Sequence, residues 1–387
     1  MNTSLTLLDK QLQLVRYPQN LQHPSWQAWD AADEYLIEYV EQHFQAEDLK
    51  SLGLSIYNDD FGTLACWFAA AEPTWVSDSY VAKQSCLINL QQNNLNKSQL
   101  RFYDSVSSIE SPTQLILLKI PKTTALLEQQ LIDLQARVSE NTRIIAAGKA
   151  NLIQKSTLSL FEKYLGITTT SLAKKKARLV FCEPTADKAH QSPYPTVWYT
   201  EKPRFEISNL ANVFARQQLD IGARFMLEQL PKLPNLNNKS VIDLGCGNGV
   251  LGLHVLKKYP EANVLFIDES YMAIASAKQN LLSNLPEQEQ HAEFIVNNCL
   301  DDFTEKSKFS EVDIILCNPP FHQQNTITDH IAWQMFNDAQ SVLKKGGQLF
   351  VVGNRHLDYP KKLKRLFGST TTVATNQKFS ILSVTKS

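Results

Sequence analysis

The feature that most constrains this chain is a phrase it contains twice. Ser79-Tyr80-x-Ala82-x-x-Ser85-x-x-x-Asn89-Leu90 returns about 190 residues later as Ser270-Tyr271-x-Ala273-x-x-Ser276-x-x-x-Asn280-Leu281, each copy following an apolar run that ends in acidic residues. Chance identity over so few positions is the competing account, and the shared order of elements around the phrase weighs against it. A chain that repeats strands and helices in one order folds as two copies of one domain, and 387 residues are enough for two.

In the first half, Leu52 to Tyr57, Thr74 to Val76, Leu115 to Ile120 and Arg143 to Ala147 read as strands, with helices at Val81 to Leu90 and Thr124 to Val138. Alternation of this kind is the signature of a parallel sheet covered by helices. The second half repeats it with strands at Ser240 to Leu244, Asn263 to Ile267, Glu293 to Val296, Val312 to Cys317 and Gln348 to Val352. Its helices are expected at about Leu251 to Lys258, Tyr271 to Leu282 and Asp329 to Leu343. The last of these should stop at Lys344-Lys345-Gly346-Gly347, a basic last turn followed by glycine. Thr370 to Ala374 and Ser380 to Thr385 should close the sheet as a hairpin. Pro184, Pro193, Pro195 and Pro203 mark Cys182 to Pro203 as the linker, giving domains 1–195 and 196–387.

Two turns in the second half carry the chemistry. The first, Gly245-Cys246-Gly247-Asn248-Gly249, sits between strand and helix, where residues without side chains let a ligand approach the backbone. Asp243 precedes it, and Asp268 closes the next strand, where an acid can hold both hydroxyls of a ribose. The bland readings are a tight structural turn for the glycines and a helix cap for Asp268. The spacing lacks the third glycine of the dinucleotide fingerprint, which disfavours NAD. The second turn, Asn318-Pro319-Pro320-Phe321-His322, follows a buried apolar strand and is stiffened by two prolines. Its amide, backbone carbonyl and ring suit a flat, amine-bearing base. The first half has Asn58-Asp59-Asp60-Phe61-Gly62 and Lys119-Ile120-Pro121 in these places, so that copy is degenerate.

Composition removes other classes. With 43% hydrophobic and 20% charged residues and a net charge of −1, the chain is globular and no polycation, so nucleic acid would have to meet local patches. Lys174, Lys175 and Lys176 form one patch, and Lys361 and Lys362 with Lys364 and Arg365 another; a solvated face is the alternative for each. The six cysteines are scattered without a CxxC, which reads as reduced cytosolic thiols and no zinc or other metal site. Met1 to Arg16 lacks the apolar core of a signal peptide, and the run Phe61 to Ala71 is too short to span a bilayer.

Val241 to Gly252, Asp268, Asn298 and the Asn318 turn together resemble class I S-adenosylmethionine-dependent methyltransferases, in the branch that methylates planar nitrogens. Phe214-x-x-x-x-x-Asp220-x-Gly222, His322 and Asn354-Arg355-His356-Leu357 are similar to bacterial ribosomal RNA (guanine-N2) methyltransferases. Thr328-Asp329-His330-Ile331-Ala332-Trp333-x-Met335-Phe336 and the tail Ala374-Thr375-Asn376-x-Lys378-Phe379 draw the resemblance to the large-subunit members.

The resemblance implies tandem Rossmann-like methyltransferase folds, each a mostly parallel seven-stranded sheet with an antiparallel last strand, the N-terminal copy degenerate. It implies S-adenosylmethionine as cofactor, held by Asp243, Gly245, Gly247, Gly249, Asp268 and Asn298, where the family more often has an acid at the last place. Asn318, Pro319, Pro320 and Phe321 would be catalytic: the Asn318 side-chain oxygen and the Pro319 carbonyl accept the amine's hydrogens, and Phe321 stacks. His322 and Arg355 would meet substrate with the two lysine patches. A turn cap for Asn318, a core role for Phe321 and a structural role for His322 stay open beside these. Phe214 and Asp220 would cover the cofactor or the base entrance, unless they only start a helix. The implied partner is large-subunit ribosomal RNA, read by a cytoplasmic monomer, the first domain binding RNA. The rivals are a small-subunit guanine enzyme, an enzyme acting on adenine or on a protein glutamine, and a non-catalytic assembly factor.

Overall fold

A computed structural model of the chain describes residues 2–19, 26–109, 111–185, 190–309, 311–320 and 326–387. The chain separates into two units, Met1–Tyr194 and Pro195–Ser387, each built on a seven-stranded sheet. In the first sheet the strands lie in the order Arg101–Asp104, Thr74–Ser77, Ser55–Tyr57, Leu115–Lys119, Arg143–Lys149, Ala177–Pro184, Gly166–Thr170. In the second the order is Ala292–Val296, Asn263–Asp268, Ser240–Leu244, Val312–Cys317, Leu343–Asn354, Phe379–Thr385, Thr371–Thr375. The two orders match strand for strand. The first five strands of each sheet are parallel, and the sixth runs antiparallel to both neighbours. Each unit is the expected α/β methyltransferase-type sheet. Each also opens with a two-stranded hairpin and a helix: Ser4–Leu7 with Lys10–Gln13 before Ala31–His43, and Thr196–Tyr199 with Glu206–Asn209 before Ile221–Gln229.

The repeated phrase has a structural reason. Ser79 caps helix Tyr80–Gln92 by accepting from Ala82 N–H, and Ser270 caps Tyr271–Asn284 by accepting from Ala273 N–H, both at 3.1 Å. Further along, Asn89 accepts from Val15 N–H and donates to the carbonyls of Val15 and Phe61. Asn280 accepts from Ser208 N–H and donates to the carbonyls of Ser208 and Asn248. In both units, then, one buried asparagine ties the helix to the opening hairpin and to the loop after the first central strand. A buried amide of this kind has few substitutes, because its donor and acceptor are both used.

The second sheet is buried on both faces, so its strands read as continuous apolar runs. By strand alternation, Val241, Phe266, Leu316 and Val352 pack under helices Ile221–Gln229, Val250–Lys258 and Tyr271–Asn284. Ile242, Ile267, Cys317 and Val351 face helices Thr326–Val342 and Tyr359–Phe367.

Three sequence expectations are corrected. Cys182 to Pro203 is not a continuous linker: Cys182 is buried in strand Ala177–Pro184, and Thr196–Tyr199 pairs with Glu206–Asn209. The prolines lie at strand ends and turns, which composition alone does not separate from a linker. The helix ends within one residue of the expected place, but Lys344 to Gly347 belong to the next strand and not to a helical last turn. The helix stops at Val342 and Leu343 already pairs with Val312, while Lys344 Nζ meets Asp313 at 2.6 Å and Gly346 donates to the Lys386 carbonyl. The strand expected from Leu52 starts only at Ser55, since Gly53 takes φ +62° after helix Ala46–Ser51. Strand Arg101–Asp104 and edge strand Gly166–Thr170 carry no apolar run because they are largely open to solvent, whereas Ala177–Pro184 is mostly buried and its run Leu179 to Cys182 was the available signal.

Candidate active site

In the second sheet the chain starts at Ser240–Leu244, adds Asn263–Asp268 and Ala292–Val296 on one side, then crosses to Val312–Cys317 on the other. The crevice at the carboxyl ends of these two central strands is the topological switch point, where α/β sheets bind ligands. Leu244 pairs with Cys317, so Gly245 and Asn318 are the next residues of adjacent strands. Register alone therefore brings the two turns singled out in the sequence to one place.

The glycine loop is built from inside. Gly245 and Cys246 N–H both donate to the Ile267 carbonyl at 2.9 Å, and Gly247 N–H donates to Asp268 Oδ2 at 2.9 Å. Gly245, Gly247 and Gly249 have φ of 71°, 53° and 78°, the left-handed region that favours glycine. At Gly249 a Cβ would lie 2.9 Å from Ala277 Cβ, so that glycine also serves packing. At Gly247 a Cβ would meet nothing within 4 Å, so this residue borders open space. Asp268 Oδ1 accepts from Ser270 N–H at 3.0 Å, which fixes the carboxylate between loop and helix. Asp243 is buried and accepts from Gly252 N–H at 2.9 Å, and burial pushes its carboxyl up to about 7. Its bond ties the strand to the first turn of helix Val250–Lys258. Asn298 is buried, and its amide donates to Asp301 Oδ2 at 2.8 Å.

Asn318 donates through Nδ2 to Asp220 Oδ2 at 3.1 Å, while its Oδ1 is buried with no hydrogen-bond partner among the described residues. A buried acceptor without a partner costs about 1–3 kcal/mol and calls for an explanation. Asn354, two residues beyond Val352 on the neighbouring strand, likewise has a buried Oδ1 without a partner among the described residues. Strand alternation turns Asn318 and Asn354 to the same face. Pro319 is buried and Pro320 half-buried. Phe321 and His322 lie outside the described residues. The buried thiols of Cys246 and Cys317 are pushed up by desolvation, so neither is a thiolate at neutral pH.

The charged candidates fall in two places. Arg355 is exposed just past Asn354, and Lys361 and Lys362 lie at the start of helix Tyr359–Phe367. Lys362 is paired with Asp329, and Lys361 with Asp358 at 3.4 Å. In the other unit, Lys174, Lys175 and Lys176 form the turn between Gly166–Thr170 and Ala177–Pro184. There Lys174 pairs with Glu38 and Lys175 with Glu34, the latter at 2.6 Å. Among the described residues no group of three or more His, Cys, Asp or Glu could hold a metal ion. The sequence reading overlooked Asp301 and assigned no role to Asn354. An acid three residues after Asn298 was the available signal for the first, and the asparagine of Asn354-Arg355 for the second.

The corresponding place in the first unit is filled. Tyr57 pairs with Leu118, so Asn58 and Lys119 stand where Gly245 and Asn318 stand in the second. Lys119 is buried, and its Nζ meets Asp33 at 2.6 Å and Asp30 at 2.9 Å. Asn58 donates to the Lys119 carbonyl and to Gln130. Donors and charge occupy the space where the second unit leaves acceptors open.

Two family models match the chain: the RLMG N-terminal domain over residues 2–186 and the methyltransferase small domain over residues 204–383. The chain is 58% identical to the ribosomal RNA large subunit methyltransferase G of Pseudoalteromonas atlantica over 100% of both chains. It is 53% identical to the protein of that name from Aeromonas salmonicida, over 98% of this chain and 99% of the other. Among solved structures, a T. thermophilus 16S rRNA N2 G1207 methyltransferase in complex with AdoMet and guanosine matches 100% of this chain and 98% of its own. Its TM-score is 0.77 at 20% identity, a likeness of fold. With full-length relatives at this identity, the chain belongs to the ribosomal RNA large subunit methyltransferase G family.

Proposed function

We propose that the chain transfers a methyl group from S-adenosylmethionine to the exocyclic N2 amine of a guanine in 23S (large-subunit) ribosomal RNA. The observation that carries this reading is the buried Oδ1 of Asn318, without a partner among the described residues, beside a glycine loop that borders open space among them. The names of the relatives supply the RNA class.

The residues fit the cofactor: Gly247 leaves room for its approach, Asp268 is placed for the ribose hydroxyls, and Asn298 keeps an oxygen for the adenine amine once Asp301 holds its Nδ2. Bound S-adenosylmethionine would supply a methyl group on positively charged sulfur: the amine lone pair would form the carbon–nitrogen bond as the carbon–sulfur bond breaks, leaving the neutral thioether, and the extra proton on the amine would pass to solvent. The lone pair of a guanine amine is delocalised into the ring. Asn318 Oδ1 and the Pro319 carbonyl accept the two N–H bonds and draw them out of plane, which frees the lone pair. Such positioning is worth about 7–11 kcal/mol where geometry is in line. Guanine carries N1–H beside its N2 amine, two neighbouring donors, whereas adenine has an acceptor next to its amine. A second open acceptor at Asn354 therefore favours guanine. Phe321 is assigned the stacking face, worth about 1–3 kcal/mol, and His322 a contact to base or phosphate.

Residues 196–387 are the catalytic domain in this reading, and 1–195 the domain that holds RNA. Lys174, Lys175, Lys361 and Lys362 are already paired with carboxylates, so Lys176 and Arg355 are the better phosphate contacts. We assign the protein to the cytoplasm as a monomer; no helix among the described residues is long and apolar enough to cross a membrane.

The test is labelled-methyl transfer to separated 23S and 16S RNA by the purified chain, with nucleoside analysis of the product. N2-methylguanosine in 23S RNA alone is expected. Label only in 16S RNA, or in adenosine, would refute the assignment.

A further inference from the structure

The two bonds of Asp220 place it between structure and chemistry. It precedes helix Ile221–Gln229, and its Oδ2 accepts both the helix N–H of Ala223 at 2.9 Å and the Asn318 amide at 3.1 Å. An amide can present either its oxygen or its NH2 group on a given side, and the bonding around it decides which. A carboxylate only accepts, so Asp220 takes the NH2 group and leaves Asn318 Oδ1 as the buried end, without a partner among the described residues.

The first unit carries the same arrangement without the chemistry. Asp30 caps helix Ala31–His43, and its Oδ1 accepts from Ala32 N–H at 2.9 Å and from Lys119 Nζ at 2.9 Å. Lys119 occupies the Asn318 position, one residue beyond the Tyr57–Leu118 pair. In both copies a helix-capping aspartate uses one oxygen for its cap and for the residue one past the last pair between the central strands. A lysine in that place has donors only, so the copy that lost the amide also lost the open acceptor.

We infer that Asp220 is the positioning residue for methyl transfer, fixing the Asn318 amide with its oxygen toward the substrate amine. The inference rests on the methyltransferase reading of the site. Without Asp220 the amide is free to turn its NH2 toward the substrate, donor against donor, while the cofactor loop is untouched.

Three substitutions in the full-length chain separate this role from capping. Serine caps a helix as well as aspartate does, but it is too short to reach Asn318. Asparagine keeps an oxygen in the place of Oδ2 and serves both partners. Asp220→Ser should keep its melting temperature and S-adenosylmethionine affinity, and lose about 30- to 100-fold in kcat with KM for 23S RNA little changed. Asp220→Asn should recover kcat to within about 3-fold of wild type, and Asp220→Ala should lose both kcat and stability. An Asp220→Ser enzyme with wild-type kcat, or one whose kcat and cofactor affinity fall together, overturns the inference while the methyltransferase reading stands. A wild-type chain that methylates no RNA overturns that reading, and the role of Asp220 falls with it.

Discussion

Lys119 and Asn318 hold the same position in two copies of one sheet, each one residue beyond the last pair between the two central strands. Lys119 is closed in by Asp30 and Asp33, and Asn318 keeps one oxygen open. The contrast gives the two copies different vulnerabilities.

In the first copy the charges depend on one another. Lys119→Ala strands Asp33 in the interior with no cation, and breaking a buried pair in this way costs about 3–5 kcal/mol. Lys119→Met with Asp33→Leu removes both charges and should recover most of that loss. Urea unfolding of the single and double variants measures it; equal losses in both would mean that the pair carries no coupling.

Two glycines of one loop should fail differently. Gly249→Ala brings a methyl group to 2.9 Å from Ala277 Cβ at φ 78°, so it should lower folding stability. Gly247→Ala meets nothing within 4 Å, and its backbone strain is about 1–2 kcal/mol. Its main effect should be on cofactor affinity, weakened about 10-fold or more where the methyl group enters the space bordered by the loop. Calorimetric binding beside thermal melts separates the two. A Gly247→Ala chain that binds S-adenosylmethionine like wild type would remove that glycine from the cofactor site.

Asp243 should leave a mark on the pH dependence of stability. Burial holds its carboxyl up to about 7, helped by the nearby Asp268 charge and opposed by the Gly252 N–H. In the unfolded chain an aspartate titrates near about 3.9. The folded state therefore keeps a proton that the unfolded state releases over this interval. The stabilisation is full below about pH 4 and is lost as pH rises toward about 7. Asp243→Asn keeps an acceptor for Gly252 and does not titrate, so it should gain on wild type by about 2 kcal/mol between pH 5 and pH 7. Urea midpoints of cofactor-free protein at these two pH values check it, and parallel profiles would contradict it.

How much of this was legible in the sequence depends on which interactions leave a local trace. The Ser-x-x-x-x-x-Ser-x-x-x-Asn phrase survived in both copies because Ser79 with Ser270, and Asn89 with Asn280, keep the same bonds, and it revealed the tandem fold. Strands Ser240–Leu244 and Val312–Cys317 read true to the residue because burial on both faces leaves unbroken apolar runs. Edge elements such as Gly166–Thr170, open to solvent, left no such run. Glycines and prolines were ambiguous: Gly346-Gly347 looked like a helix stop and lies inside strand Leu343–Asn354. The Asn318 turn and the glycine loop could be named separately, but their meeting is a matter of register between strands about 70 residues apart. The bond from Asn318 to Asp220 spans 98 residues and has no local signature.

The central claim is that Asn318 presents its oxygen to the substrate amine and has no part in holding the cofactor. Parallel measurement of methyl turnover on 23S RNA and of S-adenosylmethionine affinity for Asn318→Ala tests it directly. The account predicts turnover down by about 10³-fold or more, with cofactor affinity within about 3-fold of wild type and an unchanged melting temperature. Turnover that survives the substitution, or affinity that falls in step with it, would contradict the account.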